Sequence, residues 1–155
     1  MQSSLAVDDV VPTERNPMLR LISASAWFSP TIEVSAHCDL PCGVYDPAQA
    51  RIEAESIKAV IAKVADNPDP DFRTRAILIK EQRSELVKHH LWVLWTDYFK
   101  PPHFEKYPEL HTLINEATKL AGAGGTKGEL DAAKADELIA KIDRIAEIFW
   151  ETKKG

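Results

Sequence analysis

Proline placement constrains this chain more than any other feature. From residue 46 onward the sequence runs in helical period and stops only where proline or glycine intervenes. Asp46-Pro47 is a helix start, an acceptor side chain followed by proline at the first helical position. The stripe Ala50, Glu53, Ile57, Val60 and Val64 follows at three-four spacing. Asn67-Pro68 ends that helix, and Asp69-Pro70 opens the next by the same device. Its stripe is Phe72, Ala76, Ile79, Arg83, Leu86, His90 and Val93. Pro101-Pro102 stops it, because a residue before proline is pushed out of helical geometry. A third helix is expected from about His103 to Leu120, with Tyr107, Leu110, Ile114 and Ala117 inward and Pro108 in its opening turns. Gly122, Gly124, Gly125 and Gly128 mark a loose turn before a fourth helix carrying Ala135, Leu138, Ile142, Ile145 and Phe149. Four helices with short connectors predict an all-α, antiparallel up-down four-helix bundle.

Composition narrows the function classes. Of 155 residues, 45% are hydrophobic and 28% charged, as in ordinary globular proteins. The net charge of -5 is a poor match for nucleic-acid phosphate. No run approaches the roughly 18 apolar residues of a membrane span. With 2 cysteines, a disulfide framework and a four-cysteine zinc site are excluded.

The chain divides at residue 36. Residues 1–36 show no sustained helical or strand period and read as a cleavable leader, with 1–17 preceding a second methionine, Met18. Val34 and Ala36 fit the small-residue pattern of a peptidase site. Export by the general secretory route is the lesser alternative, since the apolar part is short, broken by serines, and followed by Glu33. Residues 37–155 form the domain proper, an irregular N-terminal segment followed by the bundle.

Two charged residues intrude on the expected seams, Glu53 on the first helix and Arg83 on the second. A charge facing a core is costly unless paired and hydrogen-bonded. Snorkelling or a structural ion pair would satisfy them. Orientation of a ligand near one bundle end is the functional alternative. His90 reads as a core histidine, and His89, His103 and His111 as surface or helix-end residues. Trp92, Trp95, Tyr98 and Phe99 read as packing or an oligomer contact.

The chemistry lies in His37-Cys38-Asp39-Leu40-Pro41-Cys42-Gly43-Val44-Tyr45. Two thiols and an imidazole within six residues make a compact soft-ligand set. Pro41 and Gly43 favour a turn that can bring both sulfurs to one centre. A Cys38–Cys42 disulfide without metal can form in an oxidising compartment. A three-cysteine iron–sulfur motif is excluded for want of a third cysteine. Tetrahedral zinc lacks an obvious fourth ligand, and a thioredoxin-like pair has two intervening residues where this one has three. Cleavage after Ala36 would free the α-amine of His37, whose reference pKa of about 7.7–8.0 lets a metal displace its proton. Amine nitrogen, the Cys38 amide nitrogen and two thiolates then make a square-planar set with the His37 ring as axial donor. Such a set favours Ni(II) or Cu(II) over zinc. Before the cut the amine is an amide and the set cannot close, so the leader would lock metal loading.

This segment resembles the nickel hook of nickel-dependent superoxide dismutases. The resemblance continues through residues 46–56, Ile79-Lys80-Glu81-Gln82-Arg83, residues 98–108 and residues 148–154, and covers essentially all of the chain after residue 36. Val34-Ser35-Ala36 resembles the family's maturation site. The resemblance implies one nickel ion per subunit, held by His37, Cys38 and Cys42. It implies Asp39 and Tyr45 at the substrate face, with Pro41 and Tyr45 gating access. Glu53 and Arg83 would hold the His37 ring. The implied reaction disproportionates superoxide to dioxygen and hydrogen peroxide by Ni(II)/Ni(III) cycling. The implied partners are a leader-processing peptidase and further copies of the chain in a homohexamer, in the cytoplasm. No nucleic acid or membrane partner is expected. A non-enzymatic nickel carrier or sensor built on the same hook is the rival reading.

Overall fold

The computed structural model of the chain describes residues 43–154. Five α-helices account for most of them: α1 (Ala48–Asp66), α2 (Pro70–Val93), α3 (Pro101–Lys106), α4 (Leu110–Leu120) and α5 (Ala132–Lys154). The long helix α1 packs on α2 and α5, and α4 packs on α5 and α2, which closes a four-membered ring. Ion pairs give the sense of the packing. Arg51 meets Asp143 at 2.7 Å and Lys58 meets Asp136 at 2.5 Å, so seven residues forward on α1 are seven residues back on α5. Glu109, which caps α4, and Glu116 within it meet Arg144 and Lys141 of α5 in the same antiparallel sense. The described residues thus form the expected all-α four-helix bundle, with α3 as a short addition.

The predicted helix starts hold. Asp46 Oδ1 accepts from the Ala48 N–H at 2.8 Å, and Asp69 Oδ1 accepts from the Asp71 N–H at 3.0 Å with Pro70 leading α2. The fourth-helix seam also holds, as Ala135, Leu138, Ile142, Ile145 and Phe149 are all buried. Each fully buried Ile, Leu or Phe contributes about 1.5–3 kcal/mol of transfer free energy.

The expected stripes of the first two helices need correction. On α1 the buried line is Ala50, Ala54, Ile57, Ile61 and Val64, so Glu53 flanks the seam at Ala54 and Val60 flanks it at Ile61. On α2 the buried line is Ala76, Lys80, Ser84, Val87 and Leu91, one residue beyond the expected positions after Ala76. Lys80 and Ser84 are buried because the glycine-rich turn gives them partners. Lys80 Nζ donates to the Thr126 carbonyl and to Glu81 Oε1 (2.8 Å), and the Ser84 and Thr126 hydroxyls lie 2.9 Å apart. Glu81 Oε1 also accepts from the Gly128 N–H at 2.9 Å. Gly125 is required here, since a Cβ on it would stand 1.9 Å from the Leu120 carbonyl oxygen.

The expected third helix is two helices. Pro108 cannot donate to the preceding turn, and the chain breaks at residues 107–109 between α3 and α4. Tyr107, Leu110, Ile114 and Ala117 are nonetheless buried as expected. A second departure is the exit from α2. Residues Leu94–Tyr98 form one π turn, closed by the Phe99 N–H on the Leu94 carbonyl at 2.9 Å. Among the described residues no helix is long and apolar enough to cross a membrane.

Candidate metal centre

Antiparallel packing gathers the start of α1, the π turn, α3 and the end of α5 at one end of the bundle. Ala36, His37, Cys38, Asp39, Pro41 and Cys42 lie outside the described residues. The described residues begin at Gly43 and include the platform on which Tyr45 rests.

Gly43 has φ +72, the left-handed backbone that a side chain disfavours. Tyr45 follows and lays its partly buried ring against the core. Its ring centroid is 5.7 Å from that of Tyr98 at 56°. Tyr98 is held in turn by Phe149 (4.3 Å) and Phe99 (5.1 Å) and stacks with His103 (5.7 Å, 25°). Thr152 Oγ1 donates to the Phe149 carbonyl at 2.7 Å, so the Tyr98 hydroxyl donates to Thr152 Oγ1, also at 2.7 Å. Tyr45 therefore rests on a ring whose position is fixed from several sides. His103 accepts at Nδ1 from the Lys100 N–H (3.1 Å). Burial first, then the charges of Lys100 and Lys106, lower its pKa.

Glu53 and Arg83 meet as the seams suggested. Arg83 Nη1 lies 3.1 and 3.3 Å from the two Glu53 carboxylate oxygens. The Glu53 side chain is only 15% exposed and Arg83 38%. A single guanidinium nitrogen spans both oxygens, a looser contact than the two-nitrogen fork Arg usually offers a carboxylate. The pair is a nearly buried acceptor oriented by a half-buried cation, which suits holding an imidazole N–H.

Sequence reasoning missed the contact of Tyr98 with Tyr45, having assigned Tyr98 to packing. No spacing signal could have found it, because the π turn shifts Tyr98 out of the α-helical register of α2. Among the described residues no group of three or more His, Cys, Asp or Glu could hold a metal ion. The segment expected to hold one, residues 37–42, lies outside them. Two thiolates, an amine and an imidazole in that segment suit nickel in kind.

Comparison with known proteins identifies the family. The pattern of the family described as nickel-containing superoxide dismutase matches residues 32–153. "Superoxide dismutase [Ni]" of Streptomyces coelicolor is 66% identical over 132 residues, spanning 84% of this chain and 98% of the relative. The protein of the same name from Streptomyces seoulensis is 63% identical over 131 residues, with the same two coverages. A solved structure of native nickel superoxide dismutase is 65% identical, covers 77% of this chain and 100% of its own, and superposes with a TM-score of 0.73. Identity of this extent, carried through hook, platform and bundle, makes the chain a member of the nickel-containing superoxide dismutases, an oxidoreductase that acts on superoxide with nickel as its cofactor.

Proposed function

We propose that the mature protein begins at His37 and holds nickel through the His37 amine and ring, the Cys38 thiolate and amide nitrogen, and the Cys42 thiolate. The observation that carries this reading is one of length. The solved native relative, covered from end to end, corresponds to 77% of this chain, about 119 of 155 residues, which is the length of residues 37–155. A cut after Ala36 would put the free amine where the donor set needs it.

When bound, nickel supplies the one-electron couple Ni(II)/Ni(III), which thiolate and amide donors make accessible. Two solved relatives support a ligation that changes with redox state, one titled for the oxidised state and one for the state after partial x-ray-induced reduction. The residues of this chain do the rest. Glu53, oriented by Arg83, would accept the His37 ring N–H and hold the ring toward the nickel. Tyr45, seated on Tyr98, and Asp39 face the incoming anion. The Tyr45 hydroxyl orients peroxide or water as it leaves. Pro41 and Tyr45 keep the approach narrow, which protects thiolates that peroxide would oxidise.

Assembly as a homohexamer fits the exposed Ile52 and Leu78 and the half-exposed Trp92, Trp95 and Trp150. A dedicated peptidase and a cytoplasmic site of action fit a leader with so weak an apolar stretch. The test of the site is substitution at the hook. Cys38→Ser or Cys42→Ser is expected to abolish both nickel binding and superoxide loss, and full activity in either variant would contradict the reading. Tyr45→Phe is expected to keep nickel while altering turnover or peroxide inhibition, and loss of its nickel would overturn the role given to Tyr45.

A further inference from the structure

The π turn at Leu94–Tyr98 is held from outside its own helix. Trp95 lies inside the turn and is 43% exposed, so burial alone does not fix it. Its indole Nε1–H donates to His111 Nδ1 on α4 at 2.9 Å. A ring nitrogen that accepts carries no proton, so the neutral His111 ring bears its proton on Nε2. The same ring stacks on Phe104 of α3, centroids 3.8 Å apart and 4° from parallel. Phe104 contacts Phe99 (6.2 Å), Phe99 contacts Tyr98 (5.1 Å), and Tyr98 contacts Tyr45 (5.7 Å). An unbroken line of rings thus joins His111 to Tyr45.

A π turn has a competing form. If Phe99 N–H bonded the Trp95 carbonyl instead of the Leu94 carbonyl, the turn would tighten to an α-helical one. Tyr98 and Phe99 would then rotate about the helix axis, away from their present contacts. One exposed hydrogen bond biases such an equilibrium by a factor of about two to ten, enough to matter where two registers are close in energy.

We propose that the Trp95–His111 hydrogen bond holds the Leu94–Tyr98 turn in its wide register and so fixes the Tyr98 ring as the wall against which Tyr45 lies. Trp95 and His111 are positioning residues for Tyr45. The functional weight of this inference rests on the placement of Tyr45 at the substrate face, while its structural content does not.

The test uses the full chain without nickel, with 13C-labelled tyrosine and 15N-labelled tryptophan and glycine. His111→Phe keeps a ring to stack on Phe104 and removes the acceptor. His111→Asn keeps an acceptor at the position of Nδ1 and removes the ring. In His111→Phe the Trp95 indole proton is expected to move upfield, and the ring resonances of Tyr98 and Tyr45 to shift or broaden together. The Gly128 amide, held by Glu81 in the glycine-rich turn, should stay in place and so report an intact fold. His111→Asn should restore the Tyr45 and Tyr98 resonances toward those of the unaltered chain. Unmoved tyrosine resonances in His111→Phe, beside a shifted Trp95 proton, would overturn the proposal, as would equal disruption in His111→Asn. Unchanged turnover and peroxide inhibition in nickel-loaded Tyr45→Phe would count against the placement of Tyr45 at the substrate face alone and leave these shifts unaffected.

Discussion

Helix α2 carries two polar intrusions in adjacent turns, and they meet opposite fates. Lys80 and Ser84 lie in the buried line, and their bonds close within the fold on Thr126 and Glu81. Arg83, one residue from Ser84, stays half-exposed and, among the described residues, reaches the nearly buried Glu53 on α1. The first set anchors a turn and is completed by backbone. The second leaves a nearly buried carboxylate held by one guanidinium nitrogen. Buried polar groups that satisfy one another are structural, whereas a withdrawn carboxylate with one loose partner has capacity for a ligand.

If that distinction is right, the two sets separate stability from activity. The largest effect is expected from Lys80→Met, which leaves the Thr126 carbonyl buried without its donor. Loss of about 3 kcal/mol in a denaturant titration is predicted, with nickel content per folded molecule unchanged. Arg83→Met should do the reverse. Arg83 is half-exposed and water can reach Glu53 in its place, so folding should lose only about 1 kcal/mol, yet nickel affinity or turnover should fall about tenfold, as when partners of a ligating histidine are removed. A large stability loss in Arg83→Met with normal activity would erase the contrast.

The smallest effect is one of pH. Burial raises the Glu81 pKa, but hydrogen bonds from Lys80 and Gly128 and the charges of Lys80 and Lys127 together bring it below its ordinary value. The Glu85 carboxylate is lowered as well, first by the hydrogen bond from Lys127. Groups with depressed pKa values stabilise the fold above the unfolded value near about 4.3 and lose that contribution as pH falls through the folded value. Hydrogen exchange at Gly128 should therefore quicken below about pH 4 before exchange in the α5 core does. Simultaneous release of both would mean that the carboxylates do not hold the turn.

The sequence was legible where a residue's chemistry could be read locally. Asp46, Asp69 and the prolines marked helix starts because caps depend on near neighbours. The α5 seam was legible because its buried line is uniformly apolar. The α2 seam was not, because a lysine and a serine sit in it, and the groups that satisfy them lie some forty residues away in sequence. The Glu53–Arg83 pair was found although both flank the buried lines, since a one-residue error leaves a pair on facing helices within reach. The hook, proposed from donor types and order, lies outside the described residues. The contact between Tyr45 and Tyr98 was hidden by the π turn, whose extra residue no hydrophobic period announces.

Closure of the donor set by removal of the leader is the central claim, and nickel content tests it most directly. Chain beginning at His37 and the uncut chain, each unfolded, refolded with nickel and passed over a chelating resin, should differ completely. One nickel per subunit in the cut chain and none in the uncut chain is the predicted result. One nickel retained by the uncut chain, or none by the chain that begins at His37, would contradict the account.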